Sequence, residues 1–154
     1  MSLPLSHAEL LRAVQSQSFI NDGIPDRIED NLYYFRIRLA FLHSPHRQVN
    51  KFIDDDALRR GWTLSPSETV FVVSREVLTI PSDIRVALSA ARSLAEEGVT
   101  LVGNREIEPY FNGKVLLGLY NESSVPFAID ARMRYAAALF ENILGKELNS
   151  DVRR

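Results

Sequence analysis

His43 and His46 stand three residues apart on either side of a Ser44-Pro45 step, and imidazole nitrogens are common zinc ligands. A zinc site needs a further ligand at a recognisable spacing. None follows, so the pair reads as solvated loop histidines. Asp54, Asp55 and Asp56 offer three carboxylates, but a calcium loop needs spaced oxygen ligands around a glycine turn, so they read as a charged surface loop. With no Cys in the chain, disulfide frameworks, thiolate metal sites, cysteine nucleophiles and Cys-ligated zinc deaminase centres are excluded. No Gly-x-Ser-x-Gly elbow, Walker loop or Gly-x-Gly-x-x-Gly fingerprint occurs, which leaves hydrolase-elbow, P-loop and dinucleotide-binding readings without support.

The elements that must position any site are those of one ordinary globular domain. At 154 residues the chain matches a prior of roughly 150 per domain, so a single domain over residues 1–154 is expected. Eighteen Lys+Arg against twenty Asp+Glu, with no basic block, disfavour a nucleic-acid polymer as partner; any nucleotide bound should be small. The N-terminus lacks a basic-then-apolar leader and no apolar run approaches about 18 residues, so no membrane span and a cytoplasmic location are expected.

Ser6 and Glu9 have capping-box spacing, predicting a helix over residues 7–18 that Asn21-Asp22-Gly23 and Pro25 stop. Phe35, Ile37, Leu39 and Phe41 then alternate as in a strand, and residues 44–60 read as a surface excursion. Thr69-Val70-Phe71-Val72-Val73 and Glu76-Val77-Leu78-Thr79-Ile80 read as two strands separated by Ser74-Arg75. Ile84, Leu88, Ala91 and Ala95 share a helical face over residues 82–97, with Gly98 placed for a left-handed C-terminal cap. Short strands follow at 99–102, 114–120 and 127–129. Residues 133–144 have helix propensity. Many short strands with turns near ten-residue intervals predict a mostly-β barrel or sandwich.

Several runs in order resemble the dCTP deaminase and dUTPase superfamily. They are Glu76 to Ile84 with its Ile80-Pro81, Arg92-Ser93-Leu94-Ala95-Glu96-Glu97-Gly98, Ile107-Glu108-Pro109-Tyr110-Phe111-Asn112-Gly113, Leu119-Tyr120-Asn121, Val125-Pro126 and Met133-Arg134-Tyr135-Ala136. The family patterns are approximately E-x-x-x-L-P, R-S-S-L-A-R-x-G, I-D-P-G-F-x-G-x-(I/V)-x-L-E-L-x-N and P-G-M-R-I-A-Q. The resemblance implies a mostly-β fold, a dUTPase-like distorted β-barrel or jelly roll with an N-terminal helix and one short internal helix, in which the segment from Met133 is a strand despite its propensity. It also implies a homotrimer with pyrimidine deoxynucleotide sites between subunits. By match, Arg92, Ser93 and Gly98 belong to the phosphate-binding turn, Ile107 and Glu108 to the base-selecting hairpin, and Phe111 packs beneath the sugar. No cofactor is implied beyond Mg2+ arriving with nucleotide phosphates.

Departures from the pattern bear on the chemistry. Where the family carries the glutamate of L-E-L, the acid/base that activates water, stands Gly118, which can shuttle no proton. Glu96 replaces an Arg beside the expected triphosphate, and Arg36 replaces the Asp of the early strand. Glu108 keeps a carboxylate where the family has Asp and could position a water for phosphate hydrolysis; a solvated glutamate is the equal alternative. The residues themselves favour a helix-surface role for Arg92 and core or interface packing for Phe111. Three functions follow: a nucleotide-binding trimer without deaminase chemistry, favoured by the residues; an active dUTP/dCTP hydrolase with Glu108 as its catalytic residue; and a non-catalytic interaction subunit.

Overall fold

The computed structural model describes residues 2–44, 46 and 48–143. Helix α1 (His7–Ser16) begins where the capping box places it. The Ser6 hydroxyl accepts the Glu9 N–H at 3.2 Å, the Glu9 carboxylate accepts the Ser6 N–H at 3.0 Å, and Leu10, Ala13 and Val14 turn inward. It stops two residues short of the prediction because Gln17 takes a left-handed conformation.

The strands form two antiparallel sheets of six. The first runs β11 (Glu106–Ile107), β9 (Ile84–Ala90), β14 (Ala136–Asn142), β4 (Leu32–Tyr34) and β3 (Ile28–Glu29), with β1 (Leu3–Pro4) also on β14. The second runs β10 (Val99–Val102), β12 (Asn112–Asn121), β8 (Thr69–Thr79), β5 (Ile37–Ser44) and β6 (Val49–Phe52), with β2 (Ile20–Asn21) also on β8. A separate pair joins β13 (Phe127–Ile129) to β7 (Trp62–Leu64). Tyr33, Phe35, Tyr135 and Phe140 are the largest fully buried side chains. The fold is mostly β as expected, but no closed barrel forms among the described residues.

Two helical readings give way to strands. Residues 84–90 form β9, and only Arg92–Glu96 are helical, as α3. Ile84 and Leu88 are four apart, a spacing that fits one helix face and one strand face equally, and Val86 between them, also buried, decides for the strand. Residues 136–142 form β14, as the resemblance implies; Leu144, the end of the helical reading, lies outside the described residues, as does the C-terminal tail. Ala136, Ala137 and Ala138 are all buried between β9 and β4, so ladder bonds and burial override alanine's propensity. The supposed excursion contains β6 and a second short helix, α2 (Asp55–Arg60). Asp54 caps that helix, accepting the Asp56 N–H at 3.3 Å, and Asp55 and Asp56 lie in its first turn, where carboxylates favour the dipole.

The two strands expected around Ser74-Arg75 are one, β8, interrupted by a bulge. Val77 pairs with Lys114 and Val73 with Leu116, so Ser74, Arg75 and Glu76 stand opposite Val115 alone. The Ser74 hydroxyl accepts the Val115 N–H at 2.8 Å and donates to the Glu76 carbonyl at 2.8 Å, bridging the gap in the ladder. A second irregularity at Arg38 moves the buried set of β5 from Ile37 to Ala40, leaving Leu39 and Phe41 half-buried. No helix among the described residues is long and apolar enough to cross a membrane.

Candidate functional site

The Ile107 hairpin builds one concavity. β11 pairs with β9 through Ile107 opposite Val86, and the turn that follows is tied to the end of β8. The Tyr110 N–H donates to the Ile80 carbonyl at 2.9 Å, and the Ile80 N–H donates to the Phe111 carbonyl at 2.8 Å. Gly113, at φ +150, lies in a region that L side chains rarely adopt. The result is a groove of about 490 Å³ whose lining includes Ile107, Glu108, Tyr110, Phe111 and Lys114. Its size is in the range of small-ligand sites. Ile107 is buried, Phe111 half-buried, and Glu108 and Lys114 open to solvent. Neither charged side chain has a hydrogen-bond or ion-pair partner among the described residues, so both are available to a ligand.

The residues expected in a phosphate-binding turn lie elsewhere. Arg92 and Ser93 open α3, which Leu94 anchors in the core, and Gly98 at φ +80 follows the helix in the predicted left-handed cap. A Cβ on Gly98 would sit 3.1 Å from the Ser123 side chain, so the turn has little room for one. Arg92, Ser93 and Gly98 do not line the hairpin groove. Ala87, opposite Glu106, and Arg92 are five residues apart, at most about 17 Å of extended chain. Glu96, the reversed charge, holds Arg92: Nε meets Oε1 at 2.9 Å, with both side chains mostly exposed. Such a pair contributes little to stability but competes with an incoming phosphate for the guanidinium.

Gly118 lies mid-strand in β12, between Val102 of β10 and Phe71 of β8. A Cβ there would approach the Val102 Cβ at 3.0 Å and the Phe71 ring and Thr69 methyl at 3.2 Å. The position at which the motif would place a glutamate is therefore crowded by apolar neighbours. The pairings continue outward, from Phe71 to Phe41 and from Phe41 to Phe52, so Val102, Gly118, Phe71, Phe41 and Phe52 form one uncharged row across the sheet. Phe41 and Phe71 stack with centroids 5.6 Å apart.

Sequence reasoning missed a second polar cluster. Glu76 is fully buried in the β8 bulge, where its carboxylate accepts the Tyr33 hydroxyl at 2.7 Å, the Arg36 N–H at 2.9 Å and Arg36 Nε at 3.0 Å. Arg36 thus supplies the counter-charge that this carboxylate needs. Burial, then the Glu76 charge, pushes the Tyr33 phenol up from its ordinary value; burial first and Glu76 second do the same to Tyr135, whose buried hydroxyl has no hydrogen-bond partner among the described residues. Burial lowers Arg27, with Glu76 opposing. The signal was present: Val70, Val72, Ser74, Glu76 and Leu78 keep one parity, which marks Glu76 as inward. His43 instead meets Asn50 at 2.7 Å, and no cluster of three or more His, Cys, Asp or Glu fit to hold a metal occurs among the described residues.

No protein-family model matches the chain. A curated dCTP deaminase of Pseudoalteromonas translucida is 31% identical over 112 residues, which are 68% of this chain and 58% of that protein. One from Psychromonas ingrahamii is 35% identical over 108 residues, 65% of this chain and 56% of the relative. The chain spans about half the length of the curated relatives it matches. Among solved structures, the 2'-deoxycytidine 5'-triphosphate deaminase of Agrobacterium tumefaciens superposes with TM-score 0.78 at 12% identity, over 92% of this chain and 47% of that one. The native EIAV dUTPase superposes with TM-score 0.51 at 12% identity, over 75% of this chain and 91% of that one. At these identities the superpositions concern the fold.

Proposed function

The chain belongs to the dCTP deaminase/dUTPase-like superfamily, and on that premise we propose that it binds a pyrimidine deoxynucleotide without deaminating it. The observation that carries this reading is Gly118, whose crowded apolar surroundings leave little room for a carboxylate while the hairpin groove stays open. Ile107 and Phe111 offer apolar surface to base and sugar, and Glu108 offers acceptors to base or sugar hydrogens. Arg92, Ser93 and Gly98 meet the phosphates from a neighbouring subunit of a homotrimer, because one protomer does not bring them into the groove. Mg2+ enters only with the phosphates.

A second reading keeps catalysis. Glu108, unpaired at the groove rim, would orient a water for pyrophosphate release from a nucleoside triphosphate. A thermal-shift panel of dUTP, dCTP, dTTP and their monophosphates, with and without Mg2+, followed by product analysis, separates the two. A rise in melting temperature without product supports binding alone. Monophosphate and pyrophosphate that vanish in Glu108→Gln support the second reading. Deamination of dCTP overturns the first, and no shift with any nucleotide favours a non-catalytic interaction subunit.

A further inference from the structure

Tyr110 combines three properties that folding alone does not explain. Its φ is +71, in the left-handed region that bulky residues seldom occupy. Hydrogen bonds on both sides of it fix the turn to Ile80, so the conformation is held by the scaffold. Yet the residue is 78% exposed, and its side chain makes no hydrogen bond or ring contact among the described residues. The backbone strain is not offset by burying the ring. Strained residues of this kind concentrate at ligand clamps, and the inference runs from the observed outlier to a use for it. In the resembled hairpin pattern this position is glycine, so the aromatic ring is this chain's own addition.

We propose that Tyr110 is the stacking surface for the base of a nucleotide in the hairpin groove, an inference that rests on the reading of that groove as a nucleotide site. The groove supplies what such a ligand requires: an exposed aromatic face for the ring, the Glu108 carboxylate for base or sugar hydrogens, and the Lys114 ammonium for a phosphate. Stacking on an aromatic side chain tolerates any base, because every base has a π face. Tyr110 therefore contributes affinity, and the polar groups of the groove contribute selection.

The test is equilibrium binding of dUTP, dCTP, dATP and inorganic triphosphate to the wild type, Tyr110→Phe, Tyr110→Asn and Tyr110→Gly, with melting temperatures recorded alongside. Asn and Gly both accept a positive φ, so loss of binding cannot come from misfolding of the turn if the melting temperature holds. Removing the ring should weaken base-bearing ligands by roughly 5- to 150-fold, the range for one base–aromatic stack. Tyr110→Phe should stay within about twofold, and inorganic triphosphate, having no ring, should bind all four proteins alike. Unchanged nucleotide affinity in Tyr110→Asn and Tyr110→Gly overturns the proposal while leaving the groove reading intact. Binding of dATP in preference to pyrimidines, with the same dependence on Tyr110, overturns the pyrimidine reading and leaves the stacking surface standing. A wild type that binds no base-bearing ligand overturns both.

Discussion

Glu76 and Glu108 show what the same side chain becomes in two settings of one fold. Glu76 is sealed in the β8 bulge with its carboxylate held by Tyr33 and Arg36, and every bond it makes is internal. Glu108 stands on the rim of the hairpin groove with no side-chain partner among the described residues. A buried carboxylate with full hydrogen bonding specifies the fold, because removing its partner leaves an uncompensated charge in the interior. An open one costs the fold nothing and is free to meet a ligand. Gly118 is a third case, where the family pattern has a glutamate and this sheet has closed the space.

The largest effect that could break this contrast is Glu76→Ala. It removes the acceptor of the buried Tyr33 hydroxyl and the counter-charge of Arg36, which keeps only the Asp22 carbonyl, and should destabilise the protein by about 3–5 kcal/mol in urea unfolding. A loss below about 1 kcal/mol would mean that the cluster is not a structural pin.

Gly118→Ala should cost about 1–3 kcal/mol, since its methyl meets Val102, Phe71 and Thr69. Combining it with Val102→Ala should recover part of that loss. Gly118→Glu should be worse than Gly118→Ala and restore no deamination, measured as ammonia release from dCTP.

The tyrosines beside Glu76 give a pH signature. Both phenols are raised above the ordinary value of 10.0, so between the unfolded and folded values the native state holds protons that the unfolded state has lost. Stability is therefore fully present below about pH 10 and falls as pH rises, by up to about 1.4 kcal/mol per pH unit for each tyrosine. Urea titrations from pH 9 to pH 11 should record this slope, and Tyr33→Phe or Tyr135→Phe should each reduce it.

Glu108→Gln is the smallest perturbation of the fold and the sharpest test of the contrast. Its unfolding free energy should stay within about 0.5 kcal/mol of the wild type while nucleotide affinity falls. If stability falls instead and affinity holds, Glu108 belongs with Glu76.

Much of this was legible in the residues. Ser6 and Glu9 announced α1, the β-branched runs announced β8, and the ordered motifs announced the fold that the Agrobacterium deaminase shares. The misreadings have physical causes. Ile84 and Leu88 sit at a spacing common to both periods, and the alanines of β14 are strand residues only because β9 and β4 flank them. The pairing of Glu76 with Arg36 was hidden because the two are forty positions apart, and only the register of β5 on β8 brings them together. Ile107, Glu108 and Phe111, taken together from one motif, line one groove, whereas Arg92, Ser93 and Gly98 come from a motif that only the chain's path could place outside it.

The bulge at Ser74, Arg75 and Glu76 also sets where this gene can change length. Because a side-chain hydroxyl holds the Val115 amide, three residues take one place in the ladder and the halves of β8 on either side keep the same parity. Losing one codon here would exchange the inward and outward residues of one half, carrying Leu78 toward solvent and Val77 toward the core, whereas losing two would preserve parity and remove only the splice. Comparisons across this segment should therefore admit gaps of two and refuse gaps of one.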